Sequence, residues 1–381
     1  MIASIPTVRG EASPIARAAL LAYLLLIVYA SWFPFSGWHA SGLAPLAFAE
    51  HVKMPRYWTG FDVAINVVGY LPLGLLIVYS LYPHIKGLLA IALTIVCGVL
   101  ISGTMEAVQS YLPSRVPSNL DLLTNVTGCC IGAVLGALSA RRVLDRSHIY
   151  RLRQRWFARH ASQGLVLLAL WPLAQIYPQG YLFGQGQLLP IVSEWLSLLL
   201  GGNIDLATWL RLDTVLTVQQ YWLSEIIITA CGMTGAGLTL LCVLRRTAPK
   251  GMLVGALLAG AVLAKTLATA LLFAPQNAFV WITPGAQGGF LIGLLMLGGL
   301  AFAPHPAQRR LAALTLLLSL LIVNATPPNP YFTATLQSWV QGKFLNFNGA
   351  AQILSIFWPF FALWFIWLPS HKLNRTAGAE T

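Results

Sequence analysis

Charge is what this sequence has least of. Of its 381 residues only 9% are charged, against roughly 25% in a soluble domain. Acidic side chains number 11 in the whole chain. A water-soluble fold of this length needs a polar skin, and 57% hydrophobic residues with a mean hydropathy of +0.72 leave too little to make one. Cysteine is also scarce. Cys97, Cys129, Cys130, Cys231 and Cys242 all lie in apolar runs and form no CxxC pair, so neither a disulfide framework nor a zinc site is expected. They read as small packing residues. No GxSxG, HExxH, P-loop or GxGxxG fingerprint stands where its mechanism would require it. The histidines are dispersed: His39 and His51 in one loop, and His84, His148, His160, His305 and His371 at the edges of apolar runs. No metal or cofactor is expected, and no catalytic set is recognisable.

What the chain has instead is long apolar runs, and these predict an all-α, polytopic helical membrane bundle. A crossing takes about 20 apolar residues. Runs near 16–35, 62–82, 87–112, 121–140, 164–178, 221–244, 251–274, 286–303, 310–326 and 350–368 predict about ten transmembrane helices. The first run ends in Trp32-Phe33-Pro34-Phe35 rather than in small residues suited to cleavage, so it is read as a retained span and not a signal peptide. The stretch 186–212 is interrupted by Pro190, Glu194, Gly201-Gly202, Asp205 and Arg211 and is read as interfacial or re-entrant.

The charges that remain are sorted by side. The loop 141–159 carries Arg141, Arg142, Arg146, Arg151, Arg153, Arg155 and Arg159 against one acid, Asp145. With that loop in the cytoplasm, Arg9, Arg17, Lys86, Arg245, Arg246, Lys250, Arg309, Arg310, Lys372 and Arg375 are also inside. Lys53, Arg56, Arg115, Arg211 and Lys343 are outside, and Lys265 lies within a span. This is the positive-inside pattern. It places both termini in the cytoplasm and the protein in an inner or plasma membrane. It also explains the net charge of +12 through lipid rather than nucleic acid. Trp32, Trp38, Trp58, Tyr177, Tyr181, Trp209, Trp222, Trp281 and Trp339 gather at expected outer ends, the headgroup level such rings favour. The chain divides into three segments: a four-helix unit over 1–140, a basic cytoplasmic linker over 141–163, and a six-helix unit over 164–381. The linker reads either as an amphipathic helix on anionic lipid or as a solvated loop.

Polar groups inside apolar runs mark the candidate sites. Asp62 and Asn66 are four apart in the second run, and Tyr70 continues their face. Glu106 and Gln109 close the third run. After the turn carrying Ser114, Arg115 and Ser118, Asp121 and Asn125 open the fourth. All fall at the expected outer side, where Arg115 among Asp62, Glu106 and Asp121 makes a natural polar pocket. A structural reading stands beside it: Ser118 and Asp121 cap a helix, and Asn66 and Asn125 bond across helices.

The pattern Asn66-x5-Pro72-Leu73-Gly74, Met105-Glu106-x2-Gln109 and Leu112-Pro113-Ser114-Arg115-x5-Asp121-x3-Asn125-x2-Gly128-x3-Gly132 resembles the VanZ-like family, over about residues 60–140. That family is named for a protein linked to resistance to the glycopeptide teicoplanin and consists of small multi-span membrane proteins. The resemblance implies an envelope role at the outer leaflet. It points to Asn66, Glu106, Gln109, Arg115, Asp121 and Asn125 as ligand-binding residues. The partners it suggests are peptidoglycan precursors or glycopeptides, beside the membrane lipids. Residues 164–381 resemble no family.

In that second unit, Glu225 lies just inside the outer end of one run and Lys265 about nine residues from the outer end of the next, a separation that predicts an intramembrane ion pair. Three functions fit these residues. The leading one is outer-leaflet recognition of an anionic, lipid-linked or glycopeptide ligand through Arg115. The second is an enzyme acting on a lipid-linked substrate, with Glu106 or Asp121 as base. The third is a proton-coupled transporter built on Glu225 and Lys265.

Overall fold

The structure is a computed structural model. It describes residues 13–33, 35, 37–39, 60–113, 116–145, 148–158, 161–210, 216–273, 275–327 and 345–368, without the side chains of 61, 62, 148–151 and 345–348. Among the described residues every regular element is a helix, and the chain forms two compact units, Met1–Gln154 and Arg155–Thr381. The division falls within the basic linker, not at either end of it.

The first unit contains α1 (Pro14–Trp32), α2 (Gly60–Leu81), α3 (Gly87–Gln109) and α4 (Asn119–Ala140). A π-helical turn, Arg141–Asp145, and the short α5 (His148–Trp156) come after them. Small residues let α2 and α4 touch backbone to backbone. A Cβ on Gly132 would stand 2.0 Å from Leu71 O, one on Gly128 2.2 Å from Val67 O, and one on Gly74 2.0 Å from Cys129 O. This is the small-residue interface expected where lipid supplies no hydrophobic drive between helices. Pro72 interrupts the hydrogen bonding of α2. Next to that break, Gly69 O accepts from Tyr23 Oη of α1 at 2.6 Å. Trp32 Nε1 of α1 donates to Met105 O of α3 at 3.4 Å. At the opposite end, Tyr82 Oη donates to Asp145 Oδ2, and Lys86 lies over the Tyr82 ring.

The second unit contains α6 (Ser162–Leu173), α7 (Leu189–Leu200), α8 (Leu206–Trp209), α9 (Val218–Val243), α10 (Lys250–Phe273), α11 (Pro284–Leu300), α12 (His305–Ala325) and α13 (Leu345–Trp367). Its centre is α9, buried along most of its length between α11, α12 and neighbouring helices. Every residue of the run Gly232-Met233-Thr234-Gly235-Ala236-Gly237 is buried, as in a helix enclosed on all sides. A capping box of Thr217 and Gln220 starts it. Beyond its far end the chain is fastened to the segment that enters the unit: Arg245 N donates to Trp156 O at 2.7 Å and Thr247 Oγ1 to Arg155 O at 2.7 Å. Arg309 of α12 donates to Ile366 O and Leu368 O, where its charge meets the negative end of α13. Residues 174–188 are not helical, yet Gln175, Tyr181, Leu182 and Phe183 are almost fully buried. They pack at the other end of the bundle, where Asn324 Oδ1 accepts from the N–H groups of Leu188 and Leu189.

Among the described residues eight helices are long and apolar enough to cross a membrane: α1 to α4, α9, α10, α12 and α13. The expected crossings at 164–178 and 286–303 fall on α6 and α11, shorter apolar helices of 12 and 17 residues. The stretch 186–212 forms α7 and α8, of 12 and 4 residues, too short to span. Apolar side chains stand outward along the long helices, among them Leu263, Leu267 and Leu271 on α10 and Leu314 and Leu321 on α12. In water such stripes would drive aggregation. Against hydrocarbon they are the solvent-facing surface.

Candidate functional site

In the first unit the polar residues of α2, α3 and α4 meet at one end. Ser118 begins α4 with an extended backbone, and its Oγ accepts from Asp121 N at 3.4 Å. That cap fixes Asp121 in the first turn, where the positive helix end favours a carboxylate. Asn66 Nδ2 of α2 donates to Asp121 Oδ1 at 2.9 Å. Glu106 of α3 is buried, and its Oε2 accepts from Ser118 N at 2.9 Å. One turn deeper, Asn125 Nδ2 donates to Ser102 Oγ at 3.0 Å. Gln109 turns to the other side of α3 and donates to Ser31 O of α1 at 3.0 Å.

Four sequence-predicted residues, Asn66, Glu106, Asp121 and Asn125, thus converge through α4 and its cap. Gln109 fastens α1. Arg115 and the side chain of Asp62 lie outside the described residues, as does His51. Two buried atoms beside the cluster have no hydrogen-bond partner among the described residues: Asn125 Oδ1, and Tyr70 Oη, which faces Ser102 without closing a bond. A buried polar atom left unpaired costs roughly 1–3 kcal/mol. An unpaired donor and an unpaired acceptor at one place are therefore unusual in a finished core. Sequence reasoning overlooked Ser102, although it stands four residues before Glu106 on the same helix face.

The second unit holds a cavity of about 70 Å³. Glu225 of α9 and Lys265 of α10 both line it, each with about 5% or less of its surface exposed. They share the cavity without the expected ion pair: among the described residues no direct bond joins them. Instead Glu225 Oε1 accepts from Thr283 Oγ1, the residue that caps α11. Gly285 makes this approach possible, since a Cβ there would stand 2.3 Å from Glu225 Oε2. Thr283 carries no signal in the linear sequence, because its partner is 58 residues away. Among the described residues no group of three His, Cys, Asp or Glu side chains gathers to hold a metal.

Long apolar helices bearing outward hydrocarbon stripes, with polar groups turned inward, define a multi-pass α-helical membrane protein. Within it, residues 20–140 match the family described as VanZ/LLP1, and no family matches the remainder of the chain. The match takes in α1 as well as the motif-bearing helices, in keeping with the bonds that Tyr23, Ser31 and Trp32 make to α2 and α3. No curated protein and no solved structure matches the chain.

Proposed function

We propose that the first unit recognises a polar envelope ligand at the end where α2, α3 and α4 converge, and that this end faces outward from an inner or plasma membrane. The observation that carries the reading is the cluster Asn66–Asp121, Glu106–Ser118 and Asn125–Ser102, with Tyr70 Oη and Asn125 Oδ1 buried beside it and unpaired. Carboxylates and amides held by α-helices from three directions can orient hydroxyls and amides of a ligand. Arg115, four residues before the start of α4 in the sequence, is the group assigned to hold its anionic part by paired hydrogen bonds. The ligand class is a lipid-linked peptidoglycan precursor or a glycopeptide, in line with the family match. The outward orientation is supported by Arg141 and Arg142 at the opposite end of α4.

The test is glycopeptide susceptibility in a host whose wall is open to such drugs. Expression of the chain raises the inhibitory concentration of teicoplanin at least fourfold. Arg115→Met and Glu106→Gln each remove most of that rise at unchanged membrane levels. A wild-type chain that is well expressed and leaves susceptibility to teicoplanin and vancomycin unaltered sinks the reading.

A further inference from the structure

The cavity of the second unit presents a different chemistry, on residues that the first unit's ligand site does not use. Four polar atoms of its lining have no protein partner among the described residues. Gln179 Oε1 and Trp281 Nε1 are buried and unbonded. Lys265 Nζ donates to nothing among the described residues, although the side chain is 5% exposed. Glu225 Oε1 takes the Thr283 hydroxyl, and Oε2 accepts no hydrogen bond among the described residues. Two of these atoms are donors and two are acceptors, one of each kind carrying a formal charge.

A purely structural ion pair would bring Glu225 and Lys265 into contact, because separated charges inside a bundle are costly. They do not touch. Of the other lining residues, Thr283 and Thr269 donate their hydroxyl protons to Glu225 Oε1 and to Lys265 O, and the rest, including Leu272 and Phe273, carry no polar side chain. Both charged residues lie about 10–12 Å from the near ends of α9 and α10, and the buried segment 174–188 covers them on one side. The arrangement is that of a site completed from outside the protein. An apolar occupant would leave four polar atoms unpaired. A lone anion would answer Lys265 and leave Glu225 uncompensated, and a lone cation would do the reverse.

We propose that this cavity binds a compact zwitterion, its oxyanion held by Lys265 Nζ and Trp281 Nε1 and its ammonium by Glu225 and Gln179 Oε1. Two sources carry that chemistry: a small free amino acid, and the headgroup of an ethanolamine phospholipid. The cavity is small, which favours the smallest members of the first source.

The experiment uses the full chain purified into nanodiscs. Thermal unfolding is followed with glycine, alanine and phosphoethanolamine, and with acetate and methylamine as half-ligands. Discs of phosphatidylcholine alone are compared with discs containing phosphatidylethanolamine. A saturable stabilisation by at least one zwitterion is expected, with half-ligands at least tenfold weaker. Stabilisation by phosphatidylethanolamine discs alone assigns the site to the lipid headgroup. Trp281→Phe, which keeps an aromatic ring and loses the N–H, weakens binding about tenfold, and Lys265→Met and Glu225→Gln abolish it. If the last two fail to fold, the wild-type comparison and Trp281→Phe decide. The proposal is overturned if neither zwitterion nor ethanolamine lipid stabilises the wild type, if acetate alone or methylamine alone binds as well, if Trp281→Phe binds as tightly as wild type, or if binding survives in folded Lys265→Met and Glu225→Gln.

Discussion

Asn125 illustrates how a single polar side chain is handled in this protein. Its Nδ2 finds Ser102 Oγ at 3.0 Å, and its Oδ1 finds no partner among the described residues. Hydrogen bonds between membrane helices measure about 0.6 kcal/mol on average and up to about 1.7. A double-mutant cycle of Asn125→Leu and Ser102→Ala, read by unfolding in detergent, is therefore expected to give a coupling of about 0.6–1.5 kcal/mol. A coupling indistinguishable from zero would mean that this bond does not hold α3 to α4. Glu106 behaves differently, because its partner is a backbone N–H at the start of α4. Glu106→Gln keeps an acceptor there and retains stability. Glu106→Leu leaves the half-buried Ser118 N–H without one and loses about 1 kcal/mol, the low end of the cost of an unpaired donor. Helical spacing pairs Asp121 with Asn125 and Glu106 with Gln109 on single helices, and the shared expected outer side groups them with Asn66. It does not show that Asn66 chooses Asp121, or that Asn125 chooses Ser102. Several partners of equal chemistry lie within a turn, and only packing selects among them.

At the scale of helices, the contact of α2 with α4 depends on small residues that no longer side chain can replace. Gly132→Leu and Gly128→Val each force backbones apart, since a bare Cβ already meets a carbonyl oxygen at 2.0 or 2.2 Å. Both variants are expected to lose the folded monodisperse species in size-exclusion chromatography. Gly69→Ala serves as the control: a Cβ there meets nothing within 4 Å, and alanine is favoured over glycine in a helix by about 1 kcal/mol. A well-behaved Gly132→Leu variant would show that α2 and α4 are not in this contact. The glycine spacing is visible in the sequence, while the partner surface of Val67, Leu71 and Cys129 is not. Helix lengths are less legible where tertiary contacts decide them. The run 164–178 stops being helical after Leu173. Pro172 and Pro178 loosen it, and the glutamines beyond it find bonds inside the bundle. Trp171 Nε1 donates to Gln185 Oε1, and Gln179 Nε2 donates to Ala174 O.

For the whole molecule the outstanding question is which end faces which compartment, and the charge pattern makes a definite prediction. In intact cells a membrane-impermeant maleimide labels cysteines placed at Val116 and Gln276, and labels those at Arg142 and Arg246 only after lysis. The reverse pattern would turn the polar cluster inward and end the envelope reading. Contacts within the second unit already group its ends. The segment 155–158 meets the turn at 243–247, while 186–189 meets Asn324, which is the pairing that the basic clusters require. Membrane residence and the long helices are determined by sequence alone. Apolar length and the cost of moving a charge across lipid are nearly additive along the chain. Tertiary structure alone decided that Glu225 takes Thr283 rather than Lys265, and that an irregular glutamine-rich segment lies buried. Those outcomes turn on which distant residues arrive within about 3 Å of one another, and linear order does not specify that distance.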